Sequence, residues 1–166
     1  RVHRRQRQMC IRDSSKTVYD DKINWPYYTE ETDNTANRKI RFPRGKVVGG
    51  SSSINGHLYV RGQASDYDGW AQKGCLGWSW SDVLPYFMKA ETRPEGNKNF
   101  RGKEGPLHIS DLTSPHPLAK LFIQTAPSIG IKKNTDYNSG DQEGSFLYQT
   151  MIKNSMRWSA SDAYLK

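Results

Sequence analysis

At residues 44–56 the chain reads RGKVVGGSSSING, which is the most informative segment of the sequence. Two valines followed by Gly49 and Gly50 predict a short strand and then a tight turn, because glycine adopts backbone conformations closed to other residues. The serines predict a helix that begins with Ser51 or Ser52 as its cap. Backbone amides at such a helix start suit an anion such as a pyrophosphate. On these residues alone, a plain turn without a ligand remains the alternative.

Two common nucleotide-binding patterns do not occur in the sequence. It contains neither GxxxxGK[ST], the phosphate loop of many nucleotide hydrolases, nor GxGxxG, the dinucleotide fingerprint. Arg44 and Lys46 add positive charge beside the turn. Any phosphate binding predicted here therefore depends on the glycine–serine turn and its two basic neighbours.

The flanking sequence predicts short elements separated by loops. Residues 15–42 are aromatic but irregular and contain Pro26, which predicts an extended loop. Downstream, helix-capping residues and hydrophobic periodicity predict four helices and two strands. The helices are expected at 66–72, at 79–91 with Ser79 or Ser81 as cap and Pro85 in the first turn, at 117–128, and from Ser159 onward, and the strands at 106–110 and 145–153.

The composition is polar for a chain of 166 residues. Only 34% of the residues are hydrophobic and the mean hydropathy is −0.88, yet 11% are aromatic, including five tryptophans. Aromatic side chains bury large areas when a core is available to them. This combination predicts a piece whose core is completed by segments outside the given sequence.

The net charge of +8 is unevenly distributed along the chain. Residues 1–14 carry five arginines against Asp13, which is half of that excess. Residues 4–14 resemble the in-frame translation of a transposase adapter used in DNA sequencing libraries, and residues 1–14 are therefore interpreted as adapter-derived. A basic N-terminal arm is the alternative. The remaining residues show no stripe of lysine and arginine, so no nucleic-acid partner is predicted.

Cysteine content and hydropathy exclude further classes of protein. Cys10 and Cys75 are interpreted as free thiols in a reducing compartment, and no cluster of cysteine and histidine predicts a metal site. The sequence has no run of 18 apolar residues, so no transmembrane segment is expected. The predicted location is cytoplasmic, or membrane-associated in a full-length protein.

The wider context of the turn resembles a known signature. Residues 43–56 are followed by Tyr59-Val60-Arg61-Gly62, Asp66-Tyr67-Asp68 and Trp70-Ala71. Together these resemble the first signature of the glucose–methanol–choline (GMC) oxidoreductases, especially the branch similar to choline dehydrogenase. The resemblance extends from about Tyr19 to Lys166. It continues in order through Gly77-Trp78-Ser79-Trp80, Gly105-Pro106-Leu107, Gln142-Glu143-Gly144, Tyr148-Gln149 and Arg157-Trp158-Ser159-Ala160.

The resemblance implies an α/β (α+β) fold. Residues 15–105 would form part of the FAD-binding domain, with the signature at 43–62, and residues 106–166 would begin the sheet-based substrate domain. It also implies that the chain is an internal fragment, since the family's GxGxxG lies upstream and its catalytic histidine downstream of the matching region. No catalytic residue and no metal ligand is therefore assigned in this chain.

The resemblance also implies which residues contact FAD. Ser51 would face the phosphates, and Asn55, Gly56 and Leu58 would approach the flavin. Some relatives bind flavin covalently through a histidine where this chain has Ile54, so FAD is expected to be held non-covalently. For His57, a satisfied surface or packing histidine is the alternative to a place near the flavin. The full predicted cofactor-binding set is Val48, Gly49, Gly50, Ser51, Asn55, Gly56, His57 and Leu58.

The activity implied for the complete protein is oxidation of a primary alcohol, choline-like or other, to an aldehyde by hydride transfer to flavin. The partners would be a small alcohol and an electron acceptor, either oxygen or a quinone-type carrier. The fragment alone is expected to be inactive. Two alternatives are a basic nucleic-acid-binding module and a non-catalytic domain on the same scaffold.

Overall fold

The computed structural model describes residues 19–166, so the segment interpreted as adapter-derived lies outside the described residues. The chain divides into two compact units. The first contains the described residues up to His57 together with Asn154–Lys166, and the second is Leu58–Lys153. The division at residue 105 that the resemblance implies separates domains of a larger protein, and it stays a prediction.

The described residues contain helices and very short strands, which confirms the predicted α/β (α+β) class. Three further one-turn 3-10 helices cover Asp33–Thr35, Gly50–Ser53 and Ala126–Ile129. The strands are β1 (Asn24–Trp25), β2 (Arg44–Gly45), β3 (Glu91–Thr92), β4 (Leu107–His108), β5 (Ile152–Lys153) and β6 (Met156–Arg157), and the α-helices are α1 (Ala64–Gln72), α2 (Trp80–Ala90), α3 (Pro117–Thr125) and α4 (Ala160–Tyr164).

Serine caps set the start of two helices, as predicted. Ser79 Oγ accepts from the Asp82 amide before α2, and Ser159 Oγ accepts from the Asp162 amide before α4. In both cases the aspartate carboxylate accepts the serine amide in return, which completes a capping box. Because α2 begins at Trp80, Pro85 lies in its second turn and not in its first, so that detail of the prediction is wrong.

In the first unit, β1 and β2 pair in antiparallel fashion with Trp25 opposite Arg44. The predicted extended loop therefore contains a strand and one 3-10 turn. The pairing brings the chain back so that the glycine–serine turn directly follows β2. Lys46 Nζ lies 4.4 Å from the centre of the Trp25 ring, which adds a cation–π contact to the hairpin.

The second unit has an aromatic core. Tyr67 packs edge-on against Trp70 and Phe87, with ring centres 5.3 and 5.8 Å apart, so aromatic side chains join α1 to α2. Tyr137 is 1% exposed and stacks on Phe146 at 4.1 Å. Its hydroxyl donates to the Tyr59 carbonyl at 2.6 Å and accepts the Gln149 amide at 2.8 Å.

A buried charge cluster lies where α2 passes into β3. Glu91 lies at the C-terminal end of α2, and its side chain is fully buried. Its oxygens lie 2.8 Å from Arg61 Nη2 and 3.0 Å from Arg101 Nε. Neither N–H is aligned for a hydrogen bond, so both contacts are ion pairs. Glu91 Oε1 also accepts the Gly102 amide at 2.9 Å.

The predicted strands are shorter in the structure than in the sequence pattern. Only β4 forms within 106–110, where it pairs in parallel with β3, and Ser110 makes an isolated antiparallel bridge to Thr150. Within 145–153 only β5 forms, together with bridges at Ser145 and Thr150. Thr150 also bridges Leu58, so the first residue of the second unit lies beside a residue three positions before its last.

None of the helices in residues 19–166 combines the length and apolar character needed to cross a membrane.

Candidate functional site

The turn at Gly49–Ser53 is tighter than its sequence predicts. Gly50–Ser53 form a single 3-10 turn, and its cap is Gly49 in the left-handed region with φ 89°. No serine side chain caps it, so the prediction of a serine-capped helix is wrong. A four-residue turn has almost no aligned backbone dipoles, so the anion argument based on a positive helix end does not apply here.

The three serine hydroxyls instead hold the turn closed from inside the first unit. Ser51 Oγ accepts the Gly45 amide at 3.1 Å, and Ser53 Oγ donates to the Val48 carbonyl at 2.9 Å. Ser52 Oγ donates to the Gly49 carbonyl at 2.5 Å and accepts the Ala160 amide at 2.9 Å. The start of α4 is thereby attached to the turn through Ser52.

Two glycines are required by the path of the chain. A Cβ on Gly45 would lie 2.4 Å from the Gly50 carbonyl oxygen, so the two backbone segments touch. A Cβ on Gly49 would lie 2.5 Å from Ser53 Oγ, in addition to the cost of its positive φ. Gly50 differs, because its Cβ direction is open with nothing within 4 Å. Its backbone can therefore be approached closely from outside.

The backbone of the turn also offers donors. Val48 is 72% exposed. Within residues 19–166, the amides of Val48 and Gly49 have no hydrogen-bond acceptor. Unsatisfied N–H groups beside an open glycine can receive an anion without displacing any internal bond.

Asn55 and Gly56 are exposed at the end of the turn, and Asn55 is held by two donors. Its Oδ1 accepts the His57 amide at 2.9 Å and Arg157 Nη1 at 3.1 Å. The same Arg157 nitrogen donates to the Ser52 carbonyl at 3.1 Å. Burial lowers the pKa of the Arg157 guanidinium, which nevertheless stays charged because arginine is so strongly basic.

His57 is only 4% exposed and adopts a positive φ of 47°. Both ring nitrogens are enclosed, and neither has a hydrogen-bond partner in the part of the chain that the structure describes. Burial, followed by the nearby Arg157 charge, lowers the pKa of His57 below its ordinary value, which favours the neutral ring. The enclosure of the ring favours the packing alternative over direct contact with a ligand.

The remaining predicted residues lie outside this tight arrangement. Leu58 belongs to the second unit, where it is half-exposed. Arg44 lies over the Phe42 ring, with its guanidinium carbon 3.8 Å from the ring centre, and it remains exposed.

Cys75 is an exposed free thiol. Across residues 19–166, no group of three or more histidine, cysteine, aspartate or glutamate side chains is placed to hold a metal ion.

Sequence reasoning missed the role of Arg157 at this site. The residue was recognised only as part of a motif near the end of the matching region. It contacts the turn across 102 and 105 residues of sequence. The only local signal was its position just before the Ser159 cap, which shows that a helix begins there but not what the helix packs against.

Comparison with known proteins places this geometry in a family. The family model described as GMC oxidoreductase matches residues 16–166. An oxygen-dependent choline dehydrogenase from Rhizobium etli is 46% identical over 145 residues, which cover 87% of this chain and 26% of that protein. The chain thus spans about a quarter of the length of this relative.

Two solved structures share the fold. Pyridoxine 4-oxidase from Mesorbium loti matches 92% of this chain and 31% of its own, with a TM-score of 0.83 and 33% identity. An FAD-dependent oxidoreductase from Chaetomium thermophilum matches 86% of this chain and 27% of its own, with a TM-score of 0.75 and 30% identity. Because the family model matches residues 16–166, the chain belongs to the GMC oxidoreductase family, whose cofactor is FAD.

Proposed function

We propose that this chain is part of an FAD-dependent oxidoreductase that oxidises a primary alcohol to an aldehyde. Family membership supports the class of enzyme, and the similarity to an oxygen-dependent choline dehydrogenase supports choline or a related alcohol as substrate. FAD supplies the acceptor of the hydride when bound. The contribution of this chain is to bind and orient the cofactor, and no residue in it is assigned the proton transfer.

The proposal depends on residues 48–55, which contain the turn at Gly49–Ser53. Its residues fit a bound dinucleotide because the Gly50 face is open, the Val48 and Gly49 amides are unsatisfied within the described residues, and Asn55 is exposed. Ser51 Oγ accepts the Gly45 amide, which leaves its own O–H able to donate. These groups are the donors that phosphate and carbonyl oxygens require.

We assign the roles along the turn in chain order. Val48, Gly49, Gly50 and Ser51 would contact the phosphates of FAD through backbone and hydroxyl donors. Asn55 and Gly56 would contact the flavin end, with His57 packed beneath the surface of the first unit. For Leu58 the flavin contact that the resemblance implies stands as a separate proposal. Ile54 is 8% exposed and its hydrocarbon side chain cannot form a bond to flavin, which supports non-covalent attachment.

The electron acceptor and the cellular location belong to the complete protein. Oxygen is favoured as acceptor by the name of the Rhizobium etli relative, and a quinone-type carrier is the alternative. The location remains predicted as cytoplasmic or membrane-associated. The division into an FAD-binding part up to residue 105 and a substrate-binding part beyond it also stands as a proposal.

The test is to express the complete open reading frame that encodes this chain and to purify the product. We expect a yellow protein with flavin absorbance whose oxidised band bleaches when choline is added without oxygen. Re-oxidation by oxygen or by a quinone would then identify the acceptor. A product without flavin that binds heparin would overturn the proposal in favour of the basic nucleic-acid-binding module. A product that binds flavin but is reduced by no alcohol would indicate the non-catalytic alternative.

A further inference from the structure

Arg157 and Asn55 together determine which hydrogen-bonding groups the turn presents to a ligand. Asn55 Oδ1 accepts two donors, the His57 amide at 2.9 Å and Arg157 Nη1 at 3.1 Å. Both partners carry only N–H groups at these positions, so the carboxamide has one consistent orientation. Its oxygen is occupied, and its exposed NH2 group is the part that remains available.

The arginine is committed to the turn and does not face solvent freely. Its Nη1 donates to the Ser52 carbonyl as well as to Asn55, so one nitrogen links the turn to a residue that follows it. These two hydrogen bonds hold the guanidinium beside the turn. Because the side chain is partly buried, water screens its positive charge less than that of a fully exposed arginine. A fixed positive charge and fixed N–H donors both favour a ligand atom that is rich in electrons.

We propose that Arg157 is a positioning residue that fixes the Asn55 carboxamide as a hydrogen-bond donor toward an acceptor atom of the flavin ring. The acceptor is a ring carbonyl oxygen or an unprotonated ring nitrogen. This inference rests on the proposed function. It adds Arg157 to the site, and it makes Asn55 the donor of the hydrogen bond to the flavin. It also makes the turn a source of positive potential beside the flavin, which favours the reduced cofactor because that form carries more negative charge.

The decisive variant is Asn55→Asp in the complete protein. A carboxylate still accepts from the His57 amide and from Arg157, so the internal role of the side chain is preserved. It no longer offers N–H donors outward. We expect an unchanged midpoint of chemical unfolding for the apoprotein, a dissociation constant for FAD raised about tenfold, and a lower reduction potential of the bound flavin.

A matched control exists in the second unit. Asn97 Oδ1 accepts the Asn99 amide at 3.0 Å, the same two-residue arrangement that links Asn55 to His57. Asn97→Asp should leave FAD affinity and reduction potential at the wild-type values. An equal effect of both variants would show that the added negative charge acts non-specifically, and it would overturn the proposal.

Arginine variants separate position from charge. Arg157→Lys keeps an ammonium able to donate to both oxygens, so FAD affinity should remain within about threefold of wild type, whereas Arg157→Met should weaken it about as much as Asn55→Asp. If Arg157→Met does not fold, Arg157→Lys and Asn55→Asp still test the proposal. FAD titrations by fluorescence and reduction potentials by dye equilibration give the readouts. Wild-type affinity in Asn55→Asp would overturn this inference, whereas a wild-type protein without flavin would overturn the proposed function instead.

Discussion

Glu91 Oε1 lies 3.0 Å from Nε of Arg101 in the second unit, and both side chains are almost fully excluded from solvent. The other carboxylate oxygen of Glu91 faces Arg61, so one negative charge is shared by two buried guanidinium groups. Arg101 is also paired with Asp136, through Nη1 at 3.3 Å. The cluster is therefore sensitive to loss of the one carboxylate at its centre.

Replacing Glu91 with glutamine should strongly destabilise the chain. Removing one partner of a buried ion pair leaves uncompensated charge and typically costs about 3–5 kcal/mol of unfolding free energy. The measurement is chemical denaturation followed by tryptophan fluorescence. Glu95→Gln is the matched control, because Glu95 is exposed a few residues away, and it should change stability by less than about 0.5 kcal/mol. Equal effects of the two variants would contradict the ion-pair interpretation.

The glycine positions differ sharply in what they tolerate. Gly45→Ala should destabilise the first unit by about 1–3 kcal/mol, because its Cβ would meet the Gly50 carbonyl oxygen at 2.4 Å. Gly69→Ala should instead stabilise α1 by about 0.5–1 kcal/mol, since Gly69 lies inside the helix with nothing near its Cβ position. Thermal unfolding of both variants checks the opposite signs. A stabilising Gly45→Ala would show that the two backbone segments are not in contact.

Stability should fall on acidification through His57. A pKa lowered by burial means that the unfolded chain, with an ordinary histidine pKa of 6.5, binds a proton that the folded chain resists. Unfolding is therefore favoured as the pH falls below 6.5, and this contribution to stability is fully present above that pH. Denaturation curves between pH 5 and pH 8 measure the slope. His57→Gln should reduce the slope, and part of the remainder belongs to His108, whose pKa is also lowered by burial and by the nearby Lys153. An unchanged slope in His57→Gln would contradict the contribution of His57.

Flavin should leave the complete protein on denaturation. Because Ile54 occupies the position at which some relatives attach the cofactor, unfolding by heat or acid should release all FAD into a protein-free filtrate. Absorbance of the filtrate and of the precipitate provides the measurement. Colour that remains with the precipitated protein would contradict non-covalent binding and would point to an attachment site elsewhere.

Local signals predicted the helices well and the long-range contacts poorly. Ser79 and Ser159 predict where α2 and α4 begin, because a capping box needs only four consecutive residues. The burial of Glu91 could not be predicted, because its two arginine partners lie elsewhere in the chain, Arg61 being 30 positions before it. For the same reason the 3-10 conformation of Gly50–Ser53 was missed, since Ser52 is bound by Ala160 far downstream.

The tight turn at Gly49 and Gly50 was predicted correctly, but the way in which it is held was not, and its role in binding a cofactor stays a prediction. Glycine and serine content identified the segment, and the open face of Gly50 agrees with that interpretation. The burial of His57 could not be inferred from its neighbours in the sequence, because Gly56 and Leu58 on either side of it are exposed. The contact of Arg157 with Asn55 required the fold to be known.

The bridges from Thr150 to Leu58 and to Ser110 have an evolutionary consequence. They bring the first residue of Leu58–Lys153 close to its last residues, so this stretch behaves as a cassette inserted at a single point in the rest of the chain. A lineage could lengthen, shorten or replace such a cassette while the residues on either side kept their own fold.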